Sequence, residues 1–364
     1  MIRPRRFLGG CAVAVAVLAV PAGASAATKT VAAGPPLTKA PAGFENINAD
    51  VPQFFRETTT VHAGDSVRWK LFGFHSVYFP KKGGGNAPFA VADPSRTYAG
   101  ELDPAGQPFW FNGQTQLVGS PLAVFPIGGK AEDGSRANGS GLPEDPRQFN
   151  YKLKFPKAGT YTYYCTIHPL MKARIKVVPR GAAIPSAAAD KRAADRQVAG
   201  ALRDLMRNNG RSAAPGNVVE AGRDSRKATL LAFYPARKAV PVGSTVEFRM
   251  SRVTNEVHTV TFGSDAVLAK GGYAEKLSQA FFAPLPGTGQ NGPPVLGLPG
   301  AALFPSDPGP LVVDGTRHGG FMSAGLLGPD RPLSPTARMT FTTPGAYNYV
   351  CLVHPEMKGQ IVVQ

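Results

Sequence analysis

The sequence predicts an all-β chain, built as two β-sandwich domains joined by a helical linker. Three observations lead there. The 364 residues include 42 Gly and 35 Pro with 18% charged residues, a composition of many turns between short strands, unlike a helical bundle or coiled coil. Short segments alternate apolar and polar residues with a period of two, as half-buried strands do. Finally, Phe155 to Val178 laid over Phe341 to Gln364 at a constant offset of 186 gives 11 identities in 24 positions without a gap. That length suits two domains, and the period is too long for a solenoid, so a duplicated domain is expected.

The first element is not part of the fold. Residues 1–26 combine Arg3, Arg5 and Arg6, an apolar run from Phe7 to Val20, and Ala24-Ser25-Ala26 as a cleavage site, which together read as an export signal peptide. Its removal lowers the net charge from +16 to +13 and takes Cys11 away, leaving Cys165 and Cys351. No other apolar stretch approaches the length of a membrane span, so no stable membrane insertion is expected after cleavage. The product is placed in the periplasm, the cell envelope or outside the cell. A basic surface favours partners with acidic docking surfaces, while export and the lack of a Lys/Arg run interleaved with aromatics argue against nucleic acid.

The first domain is expected over residues 45–180 and the second over 216–364. Ser66 to Leu71, Thr245 to Met250, Tyr161 to Tyr163 and Arg174 to Val177 alternate as strands, with Ala63-Gly-Asp and Val242-Gly-Ser as turns. Between the domains, over 181–215, Val198, Leu202, Leu205 and Met206 fall at i, i+4, i+7 and i+8, and Gly210 follows as a stop. This segment is a helical linker or a helix packed on one domain. Two long Gly/Pro-rich insertions, roughly 81–145 and 265–332, each carry an Asp-Gly-Ser/Thr-Arg element that reads as a turn tied by a salt bridge. They are expected to be ordered and to cap the sandwiches.

The chemistry sits at Cys-x2-His-x2-Met, present once in each half, with a distant upstream His in register: His75-Ser-Val-Tyr-Phe79 and His258-Thr-Val-Thr-Phe262. A thiolate with two imidazoles and a weak axial thioether is the donor set of a blue-copper electron-transfer site. Thiolate and thioether favour Cu(I), imidazole accommodates Cu(II), and a rigid sandwich tolerates both. The loops Cys165-Thr-Ile-His-Pro-Leu-Met171 and Cys351-Leu-Val-His-Pro-Glu-Met357, each entered by Gly-x-Tyr-x-Tyr-x-Cys, resemble those of the cupredoxins, of the amicyanin and plastocyanin type. That resemblance implies two Greek-key cupredoxin domains holding two type 1 copper ions. The ligands it implies are His75, Cys165, His168 and Met171 in the first half, and His258, Cys351, His354 and Met357 in the second. It also implies that the imidazole edges of His168 and His354 are electron ports, each within an apolar patch.

The sequence departs from the family in three ways. The intervals from upstream His to Cys, 90 and 93 positions, contain the insertions. Ser76 and Thr259 follow the upstream His where Asn is common, and Ile167 and Val353 precede the loop His where Pro is familiar. The function expected is that of an exported electron carrier moving single electrons between redox proteins. The alternative is a copper-trafficking or envelope-interaction protein in which copper is cargo or structural. A multicopper-oxidase-like enzyme fits less well, because only His62 and His318 remain outside the ligand sets and no His-x-His occurs. No catalytic residue is assigned. His62 and His318 read as surface and loop residues, and Tyr163 and Tyr349 as core packing.

Overall fold

The computed structural model describes residues 26–37, 47–143, 145, 149–329 and 332–364; all but the last residue of the expected leader lies outside them. The chain is mostly β-sheet. Strands form where the sequence alternates. In Ser66–Leu71 the side chains of Val67, Trp69 and Leu71 are buried while Arg68 and Lys70 face water, and Thr245–Met250 and Lys172–Val178 keep the same rhythm.

Two pairs of sheets result. In the first half, one sheet runs Tyr151–Lys154, Ser66–Leu71, Thr28–Ala33, Phe54–Phe55. The other runs Thr58–His62, Lys172–Val178, Gly159–Tyr164, Tyr78–Phe79, Asn138–Ser140, Pro126–Ile127. In the second half, one sheet runs Leu311–Val313, Thr336–Phe341, Thr245–Met250, Val218–Asp224, Thr229–Tyr234, Ala49–Asp50. Its companion runs Arg237–Val240, Lys358–Val363, Gly345–Val350, His258–Gly263, Phe321–Leu327. Corresponding strands occupy corresponding places, including the parallel pairs Thr28–Ala33 with Ser66–Leu71 and Val218–Asp224 with Thr245–Met250. Each half encloses one apolar core drawn from both of its sheets. The centre of each core is an aromatic trio, Trp69, Phe79 and Tyr163 in one and Phe248, Phe262 and Tyr349 in the other. Both tyrosines are core residues on the strand that leads into a Cys-x2-His-x2-Met loop.

Three features differ from the sequence reading. The strand Thr28–Ala33 lies upstream of residue 45 yet is internal to its sheet; its apolar residues bunch at one end, so it carries no alternation to detect. The short strand Ala49–Asp50 pairs with Thr229 and Leu230, in a sheet otherwise made by the second half. The helix Ala187–Asn209 packs on both halves: Ala201 and Leu205 share a cluster with Ala32, Val51 and Phe55 on one side and Ala228 and Leu230 on the other. Ser186 caps its start by accepting from the Ala189 N–H at 3.2 Å. Along it, Asp190 pairs with Lys29 and Arg56, and Gln197 donates to the Phe54 carbonyl at 2.9 Å. Met206, expected on the buried stripe, is instead 49% exposed, because the packed face is narrow and Ala201 fills it.

The insertions add to their own sandwiches, with Pro126–Ile127 and Asn138–Ser140 joining a first-half sheet and Leu311–Val313 and Phe321–Leu327 joining the two second-half sheets, and they reach further. They pack on each other, with Tyr98, Phe109 and Phe111 from one and Val267, Leu277, Ala301 and Phe321 from the other forming a separate apolar cluster. The two Gly/Pro-rich segments thus share one core. Hydrogen bonds sew the seam: Trp110 Nε1 to the Pro305 carbonyl at 2.8 Å, and Tyr273 Oη to the Leu102 carbonyl at 2.8 Å. The Glu101 carboxylate accepts the Gly300 and Ala301 N–H groups at 2.9 and 3.0 Å. His318 joins the same clasp, its ring between Asp103 and Asp307 at 3.0 and 3.1 Å. The two Asp-Gly-Ser/Thr-Arg elements are turns, though Asp133 pairs with Lys157 at 3.1 Å while Asp314 pairs with Arg317 at 3.4 Å. Among the described residues no helix is long and apolar enough to cross a membrane.

Phe111, fully buried at the centre of the clasp, gives a direct test. Phe111→Ala is expected to destabilise the chain by about 3–5 kcal/mol in urea unfolding. A loss under about 1 kcal/mol would mean that the clasp is only loosely packed.

Candidate metal centres

Each loop begins where a strand runs out. Gly159–Tyr164 and Gly345–Val350 end one residue before Cys165 and Cys351, and the return strands Lys172–Val178 and Lys358–Val363 start one residue after Met171 and Met357. The loop is closed by its own backbone. The Cys165 N–H donates to the Met171 carbonyl at 2.9 Å and the Met171 N–H to the His168 carbonyl at 2.9 Å. In the second half, Cys351 to Met357 and Met357 to His354 repeat this at 3.0 and 2.9 Å. Met171 and Met357 are buried beside the cysteines. The upstream histidines arrive from the neighbouring strand edge, and both are fully buried.

The structure brings His75, Cys165 and His168 together, and separately His258, Cys351 and His354. His75 Nδ1 and His168 Nδ1 stand 3.1 Å apart, with Cys165 Sγ 3.3 Å from His168 Nδ1. In the second triad the edges are 3.2 Å between the two Nδ1 atoms, 3.8 Å from Sγ to His258 Nδ1 and 3.7 Å from Sγ to His354 Nδ1. A point equidistant from those three atoms lies about 2.1 Å from each, close to the length of a first-row metal–imidazole bond and somewhat short of a metal–thiolate one. Without a metal, attraction between thiolate and protonated imidazole holds the atoms together, and a metal ion that displaces those protons can sit between them. The donor set therefore fits a metal that accepts both thiolate and imidazole. Cys165 and Cys351 are free and lie in different triads, so they do not pair as a disulfide.

The electrostatics are consistent with this. Burial alone would raise both thiols, but His168 and His75 hold Cys165, and His258 and His354 hold Cys351, well below the usual thiol range. Burial alone would lower the loop imidazoles, yet attraction from the thiolates and from Glu256 raises His168 and His354 to about 10. Backbone amides complete the sulfur environment: the Ser76 N–H reaches Cys165 Sγ at 3.4 Å and the Thr259 N–H reaches Cys351 Sγ at 3.3 Å. Ser76 and Thr259 hold the loops by their hydroxyls. Ser76 Oγ accepts the Thr166 N–H at 2.9 Å and Thr259 Oγ1 the Leu352 N–H at 2.7 Å.

Several contributors carry no signal in the sequence reading. Asp50 lies 3.8 Å from His75 Nε2 and 3.5 Å from His168 Nε2. Glu256 lies 3.6 Å from His168 Nε2 and 3.4 Å from His354 Nε2. These are charge contacts longer than a hydrogen bond. Asn255 Oδ1 accepts the Leu170 N–H at 2.9 Å, so a residue of the second half holds the first half's loop. In the register of the upstream histidines, Glu256 corresponds to Gly73, so comparing the halves conceals it. The His168 and His354 edges are accordingly not ports in apolar surface patches. Their side chains are 8% and 17% exposed and face carboxylates, because the two loops meet where the halves meet. His62 and His318 lie outside both triads; the His62 ring contacts the Ala182 carbonyl at 2.8 Å.

No family model matches the chain, and no curated protein matches it. Among solved structures it is similar to an oxidised amicyanin variant, with 18% identity over 42% of this chain and 82% of that one, at a TM-score of 0.20. It is also similar to a reduced Cu(I) amicyanin variant at pH 4, with 20% identity over 35% of this chain and 73% of that one, at a TM-score of 0.18.

Glycine makes room for the histidine edges. Gly222, at φ +78°, would place a Cβ 2.8 Å from His258 Nε2; Gly34, at φ +82°, would place one 2.9 Å from His75 Nε2 and against the Phe72 carbonyl. Gly222→Ala is therefore expected to displace His258 and weaken metal binding at the second triad by roughly 10–100-fold, leaving the first intact. Equal binding at both triads in a metal titration of that variant would show that His258 tolerates the crowding.

Proposed function

We propose that this chain is a tandem of two cupredoxin-type Greek-key domains, over about 45–180 and 216–364, with two type 1 copper centres, and that it carries single electrons between redox proteins. His75, Cys165, His168 and Met171 would hold one ion, and His258, Cys351, His354 and Met357 the other. The observation that carries this reading is the pair of buried Cys/His/His triads, each at the same place between corresponding strands and each closed by the same Cys N–H to Met carbonyl bond. Copper supplies a one-electron couple at each triad. The protein's part is to keep the donors in place. The loop, the amide on sulfur and the braced strand leave little room for rearrangement when the charge changes by one unit, which keeps the barrier to electron transfer low.

The reading is of a carrier and not an enzyme. His62 and His318 are each engaged elsewhere, His62 with the Ala182 carbonyl and His318 with Asp103 and Asp307, so neither supplements a triad. Export to the periplasm, envelope or exterior belongs to the same reading, as do redox partners with acidic docking surfaces, which complement the positive net charge. Full burial of both thiolates argues against copper as freely exchanged cargo.

Titrating the chain with Cu(II) is expected to saturate at two equivalents with an intense blue thiolate-to-copper band. Cys165→Ser and Cys351→Ser should each remove part of the band and one equivalent. A colourless protein, or a band abolished by one substitution alone, would end the two-centre reading. Ready loss of copper to a mild chelator would favour cargo instead.

A further inference from the structure

The two triads are turned toward each other. The His168 ring presents Nδ1 to Cys165 and Nε2 to Glu256 Oε1, and the His354 ring presents Nδ1 to Cys351 and Nε2 to Glu256 Oε2. One carboxylate, its side chain 6% exposed, thus stands between the outer edges of two rings from different halves, at 3.6 and 3.4 Å. Its position is held from both sides. The Glu256 N–H donates to Thr254 Oγ1 at 2.9 Å, and the neighbouring Asn255 holds Leu170 in the loop that carries His168. The helix Ala187–Asn209 and the clasp of insertions fix the halves to each other, and the clasp core includes Leu352, next to Cys351. Electronic coupling falls steeply across each non-bonded gap. From triad to triad, the line through ring, carboxylate and ring crosses only two such gaps, both in a water-poor interior.

We propose that Glu256 joins the two centres into one electron-exchange unit, in which an electron taken up at either triad equilibrates with the other through the edges of His168 and His354. This rests on the two-copper reading above. One centre loses an electron and the other gains it; no bond forms or breaks, no proton moves, and no further reactant is consumed. A partner that reaches one centre therefore serves both. Glu256 acts as a positioning residue, and its negative charge is felt by both centres, whereas Asp50 faces only the first-half rings.

Glu256→Gln, which keeps the side-chain shape, Glu256→Ala, and Asp50→Asn as a control test this in the full chain. In metal-free protein labelled with 15N histidine, Glu256→Gln should shift the ring Nε2 signals of both His168 and His354, and Asp50→Asn only those of His75 and His168. A Glu256→Gln spectrum in which one ring alone moves overturns the bridge before copper is added. In the copper-loaded chain, Glu256→Gln should raise both midpoint potentials and Asp50→Asn only one. Met171→Gln, which changes one expected ligand, would separate the spectra of the two centres. In that background, concentration-independent redistribution after one-electron flash reduction should slow by about tenfold or more in either Glu256 variant. Intact blue bands with an unchanged redistribution rate overturn the bridge and leave the two-copper reading standing. Absence of blue bands in the unmutated chain overturns that reading and the bridge with it. Uptake of a third metal equivalent that Glu256→Gln abolishes would make Asp50, His168 and Glu256 a cation site and also overturn the bridge.

Discussion

A thiolate and two imidazole nitrogens pointing at one another in a dry interior are costly to hold together, and the rest of the molecule is organised around that requirement. Each Cys follows a strand braced by a buried Tyr against three further aromatic rings. A backbone amide faces each sulfur, a hydroxyl fixes the residue after each Cys, and a bond across the loop sets the distance from Cys to Met. The outer ring edges face carboxylates, the usual arrangement by which a protein orients ligating histidines. These devices recur in both halves with different residues, Trp69 against Phe248 and Ser76 against Thr259, which shows that the constraint is geometric and admits more than one side chain.

A second requirement is the placement of the halves. Contacts such as Glu256 to His168 and Asn255 to Leu170 act over a few ångströms and survive only if the halves do not slide. Three separate structures prevent sliding: the helix straddling both halves, the shared core of the insertions, and the strand Ala49–Asp50 added to the other half's sheet. Long loops in a compact protein are usually binding or closing elements. Here part of their apolar surface is used on each other, so the segments also serve as a joint between the two halves.

The parts legible in the sequence were those confined to short segments. Cys165, His168 and Met171 are spaced for one loop, and strands such as Ser66–Leu71 announce themselves by alternation. The upstream His75 and His258 could be found because the chain supplies two examples of the same register. What remained hidden depends on contacts between distant segments. Glu256 and Asp50 are ordinary surface-type residues until the halves meet. The strand Thr28–Ala33 has no periodicity, and Met206 satisfies the helical stripe while lying just beyond the packed face. The inward orientation of His168 and His354 was illegible for the same reason: a motif read one half at a time offers no second half to face.

The strand Ala49–Asp50 bears on how such a chain changes over generations. By sequence it belongs to the first half and by hydrogen bonding to the second, and it delivers a carboxylate to the first half's histidines. Cleaving the coding sequence between the halves would leave the second without its edge strand and the first with a dangling one. Loss or exchange of either half is therefore expected to damage the other. What reads along the sequence as two modules is tied together by hydrogen bonds and charge as one.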